Sequence, residues 1–182
     1  FLSKLQKLVK EVTISWENYD YSKAKLLTEQ FFWNTFCDYY LEIIKDRLYN
    51  PERRGKSAKE SAIYTLYLTL LTLLKLFAPI IPFITEEIYQ IYFKKFDNNI
   101  SIHMSGWPRY NKSFVNEKIE KTGDHAITLI SEVRKFKANN NVSLKQPVII
   151  SLDIKKLKSY IEDIKAVTTA KETINGKFSV KM

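Results

Sequence analysis

Glycine and proline are scarce, four and five in 182 residues. That is too few turn-formers for a sandwich of many short strands, and it leaves room for long helices. Cysteine is nearly absent: Cys37 stands alone, which excludes an internal disulfide and points to an intracellular, cytoplasmic compartment. The two histidines, His103 and His125, lie far apart in the chain, so no zinc site on His/Cys ligands is expected and no metal is implied. An initiator Met and signal-peptide anatomy are both missing, so the sequence reads as an excised piece. A long unbroken apolar run is missing too. Ala62 to Leu74 reads as too short for a bilayer span, being interrupted by Lys75 and then by Pro79 and Pro82. Thr65, Thr69 and Thr72 give it one polar stripe, which suits a buried helix and no membrane.

What is present can bury a core: 45% of residues are hydrophobic and 14% aromatic, enough for one domain or one domain with a small appendage. The formal net charge is +9, with pI near 9.4, which makes an anionic partner plausible. Residues 1–56 carry 10 basic and 8 acidic groups, 57–110 carry 5 and 4, and 111–182 carry 14 and 8. The excess therefore lies in the last third.

Leu2, Leu5, Leu8, Val9 and Val12 recur at helical spacing and predict a first helix to about Trp16. Asp20 or Ser22 offers an N-cap for a second helix reaching Tyr49, with Ala24, Leu27, Phe31, Phe32, Phe36, Tyr39, Tyr40, Ile43 and Ile44 as its apolar stripe. Trp33, Phe36 and Tyr40 are expected in the core. Pro51 ends that helix, 49–56 is expected as a loop, and Ser57 with Glu60 has the form of a capping box opening a third helix to Ala78. Pro79-Ile80-Ile81-Pro82 breaks it, and a fourth helix follows from about Phe83 to Lys95, its Glu86-Glu87 pair complementing the helix dipole. Four consecutive helices with short connections favour an antiparallel bundle. Beyond Asp97-Asn98-Asn99 the pattern changes to an extended strap, 101–108, that packs Ile102 and Trp107 back on the bundle. Phe114 to Lys137 then predicts a helix, Val148 to Leu152 a strand, Lys155 to Ile164 a helix and Phe178 to Val180 a second strand. The expected fold is mainly α, a helical bundle over 1–110 followed by a small α/β subdomain over 111–182.

Several segments resemble the class Ia aminoacyl-tRNA synthetases. The run from Phe32-Trp33-Asn34-Thr35-Phe36-Cys37-Asp38 through Tyr40-Leu41-Glu42 to Lys45-Asp46-Arg47 is similar to the F-x-W-x-x-F-C-D-x-Y-(I/L)-E-x-x-K-x-R helix of valyl-tRNA synthetases, with one residue fewer before the Trp. Pro79-Ile80-Ile81-Pro82-Phe83-Ile84-Thr85-Glu86-Glu87 resembles the P-x-x-P-F-x-T-E-E segment of class I enzymes. Ser101-Ile102-His103 with Trp107-Pro108 resembles the strap after it. Val133-Arg134 with Ser143-Leu144-Lys145-Gln146-Pro147 resembles the region beyond the bundle in the valine and isoleucine enzymes. The last three patches are shared more widely, so the Phe-Cys-Asp helix is what favours valine. The signatures His-Ile-Gly-His and Lys-Met-Ser-Lys-Ser occur nowhere in the sequence.

The resemblance implies the anticodon-binding region of a valine–tRNA ligase, with no catalytic residue and no cofactor in this fragment. ATP would be used by a catalytic domain of the same polypeptide, and the partner would be the anticodon stem-loop of valine tRNA. An isoleucine or leucine enzyme is the alternative within the class, and a basic helical protein-interaction bundle is the alternative outside it. If the first two helices are antiparallel, Phe1 and Lys4 fall at the end of the bundle that carries Lys45, Arg47, Tyr49, Arg53, Arg54 and Lys56. Residues 45–56 hold five basic and two acidic groups. Splayed bases of a single-stranded loop stack on rings or guanidinium planes while cations hold phosphates. Lys4, Lys45, Arg53, Arg54 and Lys56 are thus candidates for the RNA backbone, and Phe1, Arg47 and Tyr49 for stacking or base edges. A plainer reading stands beside this one: Lys45 and Arg47 pair with neighbours of Asp46 or complement the helix C-terminus, and Arg53-Arg54 is an exposed loop without a partner. Asp38 and Glu42 read as structural. Arg134, Lys135 and Lys137 form either a contact to the tRNA body or a solvated face.

Overall fold

A computed structural model describes residues 1–97 and 99–182, so Asn98 in the expected Asp97-Asn98-Asn99 break lies outside the described residues. The fold is mainly helical, with a small sheet near the C-terminus. In chain order come α1 (Leu2–Glu17), α2 (Tyr21–Gln30), a π-helical stretch (Phe31–Tyr40), α3 (Leu41–Tyr49), α4 (Pro51–Arg54), α5 (Lys56–Phe77), α6 (Pro82–Tyr92) and α7 (Glu117–Asn139). β1 (Val148–Leu152), α8 (Ile154–Leu157), α9 (Ile161–Thr168), β2 (Ala170–Asn175) and β3 (Ser179–Lys181) complete it. Two compact units result, 1–38 with 59–115 and 39–58 with 116–182. This differs from a division at residue 110 in assigning 39–58 to the C-terminal residues. The cause is tertiary: Tyr39 and Ile43 pack against the C-terminal core, and charged groups of α3 and α4 pair with α9.

In the first unit, α1 buries Leu5, Leu8, Val9 and Val12, the stripe its spacing dictates. The chain reverses through Tyr19, whose φ is 59°, and Asp20 caps α2 by accepting the Lys23 N–H at 3.1 Å. α2 then packs on α1. Phe36 is core as expected, but Trp33 is not: it is 60% exposed and packs edge-on against Phe32 at 4.8 Å. Its turn of the helix looks outward.

Two expectations for the third helix are corrected. It begins at Lys56, after Gly55 at φ 89°, so Ser57 lies inside it rather than capping it. It is also not too short: α5 runs 22 unbroken residues, long and apolar enough to cross a bilayer by length and composition, because Lys75 sits in its last turn and the prolines lie beyond its end. Within the unit it serves as a core helix, burying Thr65, Thr69, Thr72, Leu73, Leu74 and Leu76. Pro82 opens α6 at its first turn. Tyr89 and Phe93 join Leu74, Ala78 and Ile102 in one cluster. Glu86 does not serve the α6 dipole; its carboxylate accepts the Ser101 hydroxyl at 2.8 Å and the Ile102 N–H at 3.0 Å and anchors the strap. Trp107 fastens the other end, donating its indole N–H to Thr13 Oγ1 at 2.9 Å.

In the second unit, α7 buries Ala126, Leu129, Ile130 and Val133 against Val148, Ile150 and Leu152 of β1 and Ile164 of α9. It starts where Asn116 accepts the Ile119 N–H at 3.0 Å, slightly later than the sequence suggested. The sheet order is β2-β1-β3: β2 runs parallel to β1 through the α8–α9 crossover, and β3 pairs antiparallel. β2 was not foreseen, because Ala170–Asn175 is largely exposed and polar. Lys137 is neither a tRNA contact nor part of a solvated face: it is 1% exposed and donates to the carbonyls of Leu144 and Thr168, both at 2.7 Å. Thr168 ends α9, so the amine satisfies a helix C-terminus, while burial lowers its pKa.

Candidate nucleic-acid interface

The corner between α3 and α4 gathers six of the eight candidate residues. Lys45, Arg47 and Tyr49 lie on α3, Arg53 and Arg54 on α4, and Lys56 opens α5, all six in the second unit. Phe1 and Lys4 belong to the first unit, where Phe1 lies 5.6 Å from the ring of Phe31 and 6.2 Å from that of Phe36. Much of the Phe1 ring is thereby held in the aromatic packing of that unit.

The corner is shaped by Asn50 and Pro51. Asn50 donates its side-chain amide to Asp46 Oδ1 at 2.7 Å, and Pro51 occupies the first position of α4, where a missing N–H costs nothing. The expected loop over 49–56 is therefore a single helical turn between two tight junctions. That turn aims Arg53 and Arg54 back toward α3, and both reach Asp46, at 2.5 and 2.9 Å. Burial by itself would raise the Asp46 carboxyl, but hydrogen bonds from Asn50, Arg53 and Arg54 outweigh it and hold the group below its ordinary value.

Asp163, in the first turn of α9, is the second organising carboxylate, with a side chain only 4% exposed. Arg47 grips it with both ends of its fork, Nε at 3.0 Å from Oδ1 and Nη2 on Oδ2. Arg54 adds Nη2 to Oδ1 at 2.6 Å. The hydrogen bond to Asp163 leads the causes that raise the Arg47 pKa. Neither Arg47 nor Arg54 is thus an open cation, and the plainer reading of Arg47 named the wrong neighbour: its partner is 116 residues away. Nor is the arginine pair an exposed loop without partners. Arg53 differs from Arg54 in degree. It is 54% exposed, holding Asp46 on one side and Glu162 at 3.4 Å on the other. Tyr49 is 77% exposed, and Lys45 is exposed and donates to the Glu42 carboxylate at 2.5 Å. Lys56 is also exposed.

Glu162 and Asp163 are absent from the sequence reading, and Asp46 enters it only in connection with Lys45 and Arg47, not as the partner of Arg53 and Arg54. Asp46 carried a local signal, since positions 46, 50, 53 and 54 share one side of a helix-turn-helix corner. For Asp163 no local signal exists, because its partners are set by the packing of α9. Chemically the corner offers an exposed ring and exposed cations above a layer of arginines already neutralised, and no nucleophile or acid–base pair.

The family model described as the anticodon-binding domain of tRNA ligase matches residues 1–156. A valine–tRNA ligase of Rickettsia felis is 43% identical over 176 residues, covering 94% of this chain and 20% of the relative. One of Rickettsia prowazekii is 44% identical over the same length, covering 94% and 21%. One of Rickettsia canadensis is 41% identical over 174 residues, covering 94% and 21%. The chain therefore spans about a fifth of the length of these relatives. With its bundle, its strap and most of its appendage inside the matched residues, the chain belongs to the anticodon-binding domain family of tRNA ligases.

Proposed function

We propose that the chain is the anticodon-binding module of a cytoplasmic valine–tRNA ligase, seating the anticodon stem-loop of valine tRNA for ATP-dependent aminoacylation by a catalytic domain of the same polypeptide. Similarity to valine–tRNA ligases along 94% of the chain carries the reading. The α3–α4 corner supports it with the chemistry a single-stranded loop needs. Tyr49 supplies a solvent-facing ring on which a base can stack, and Lys45, Arg53 and Lys56 supply charge for phosphates. Arg47 and Arg54 are assigned instead to holding that corner in shape. Phe1 is left to the packing of its own unit, and Lys4 to the RNA backbone.

Filter binding of the chain to a panel of tRNA transcripts at low salt tests the reading. Preference for the valine anticodon, lost when that anticodon is replaced in valine tRNA and gained by another tRNA that receives it, is expected. Equal binding to every anticodon overturns it.

A further inference from the structure

We infer that Asp163 is a specificity-determining positioning residue that withholds Arg47 and Arg54 from RNA phosphates; this rests on the anticodon-binding reading above. Three guanidinium N–H groups converge on this one carboxylate from two helices, Arg47 Nε and Nη2 from α3 and Arg54 Nη2 from α4. Its side chain is 4% exposed, and those of Arg47 and Arg54 are 26% and 10% exposed. Around the same corner Arg53 is 54% exposed and its pairing to Glu162 is long, at 3.4 Å. The three arginines of the corner thus fall into two classes: a buried pair fixed by a carboxylate from α9, and an outer guanidinium able to leave Glu162 for a phosphate.

The separation matters because phosphate contacts add affinity without sequence information, whereas base contacts discriminate. A corner presenting Arg47, Arg53 and Arg54 together with Lys45 and Lys56 would bind any RNA loop. Fixing two of the three arginines inside the protein leaves a smaller cationic face around Tyr49, so that fit of the bases weighs more in the total. The same contacts set the angle of α4 on α3 and so the position from which Arg53 and Tyr49 face solvent. The α/β subdomain acquires a role in recognition without touching RNA.

The experiment compares the chain with Asp163→Asn and Asp163→Glu by filter binding to valine tRNA and to anticodon-swapped tRNA, across a series of KCl concentrations. Asp163→Asn is expected to bind swapped tRNA more tightly than the parent chain does at low salt, to lose anticodon preference severalfold, and to steepen the salt dependence by at least ~0.7, one added phosphate contact from Arg47, since Arg54 keeps its bond to Asp46. Asp163→Glu is expected to recover part of the preference. A merely structural role predicts weaker binding to every RNA and no steeper slope, and that result overturns the inference. If Asp163→Asn does not fold, as judged by circular dichroism, the paired variant Asp163→Asn with Arg54→Gln replaces the charged contact by a neutral one. A steepening of ~0.7 is then expected, from Arg47 alone, and an unchanged slope overturns the inference. A parent chain that prefers the valine anticodon while the variants match it sinks this inference only; a parent chain with no preference sinks the anticodon reading and the inference with it.

Discussion

Glu86 on α6 accepts the backbone N–H of Ile102 at 3.0 Å, tying the strap to a helix sixteen residues earlier in the chain. The same carboxylate takes the Ser101 hydroxyl and the Gln90 amide. Burial by itself would raise the group; the bonds from Gln90, Ser101 and Ile102 outweigh it and hold the pKa below its ordinary 4.5. A carboxyl depressed in the folded state stabilises fully above the unfolded value and loses that contribution as pH falls through the folded one. Unfolding by urea between about pH 3 and 7 should therefore show an acid loss below about pH 4.5 that Glu86→Gln flattens. At neutral pH the substitution should cost about 1.5–3 kcal/mol, the scale of hydrogen bonds to a charged group. An unchanged acid limb in Glu86→Gln would show that the strap is held by Ile102 and Trp107 alone.

Tyr89 gives the opposite limb. Its ring is fully buried, its hydroxyl donates to the Asn99 carbonyl at 3.2 Å, and burial pushes its pKa up to about 12. The protonated phenol is favoured in the folded state, so its contribution is complete below the ordinary value of 10 and is lost as pH rises from there toward about 12. Ultraviolet titration of tyrosinate should show a late phenol step toward about pH 12. Tyr89→Phe should remove that step and lower stability at neutral pH by about 1 kcal/mol, the loss of one hydrogen bond.

Trp107 tests whether the strap is fastened by polarity or by packing. The indole N–H donates to Thr13 Oγ1 at 2.9 Å, while the ring meets Trp16 edge-on at 6.3 Å. Thr13 keeps a second bond, to the Val9 carbonyl at 2.7 Å, so losing the indole donor leaves no orphaned hydroxyl. Replacing Trp107 by Phe should cost about 1 kcal/mol from the hydrogen bond, and Trp107→Ala about 3–5 kcal/mol from lost packing. Equal losses in the two variants, measured by urea denaturation, would assign the fastening to the hydrogen bond.

Local chemistry made much of this fold visible in the sequence. Asp20 caps, Pro82 opens a helix, and Val148 to Leu152 forms a strand because each outcome depends on neighbours within a few residues. The misreadings share a different cause. From the sequence Glu86 reads as charge for a helix dipole, Lys137 as a tRNA contact or solvated cation and Arg47 as a base-facing or locally paired guanidinium, and each is bonded to groups brought near only by tertiary packing. β2 is exposed and polar, so its strand character comes from pairing with β1 rather than from its own pattern. The geometry of the candidate corner is legible only in part for the same reason: cation density around 45–56 shows in the chain, but which of those cations the protein keeps for itself is decided by α9.

Tyr49 and Arg47, two residues apart on α3, should therefore answer oppositely to alanine. The Tyr49 ring is 77% exposed, so Tyr49→Ala should leave urea stability within about 0.5 kcal/mol of the parent, as exposed substitutions do. If a base stacks on that ring, RNA affinity should fall by roughly 1–3 kcal/mol, and the loss should depend on the base opposite it. Arg53→Ala should weaken binding to all tRNAs alike and make the salt dependence shallower by ~0.7, one phosphate contact. Arg47→Ala removes two of the three guanidinium bonds to a buried carboxylate and leaves its charge to Arg54 alone, which should cost about 3 kcal/mol of stability. A stable Arg47→Ala that loses anticodon preference would return Arg47 to the RNA-contacting face; a stable Tyr49→Ala with unchanged affinity would remove the ring from it.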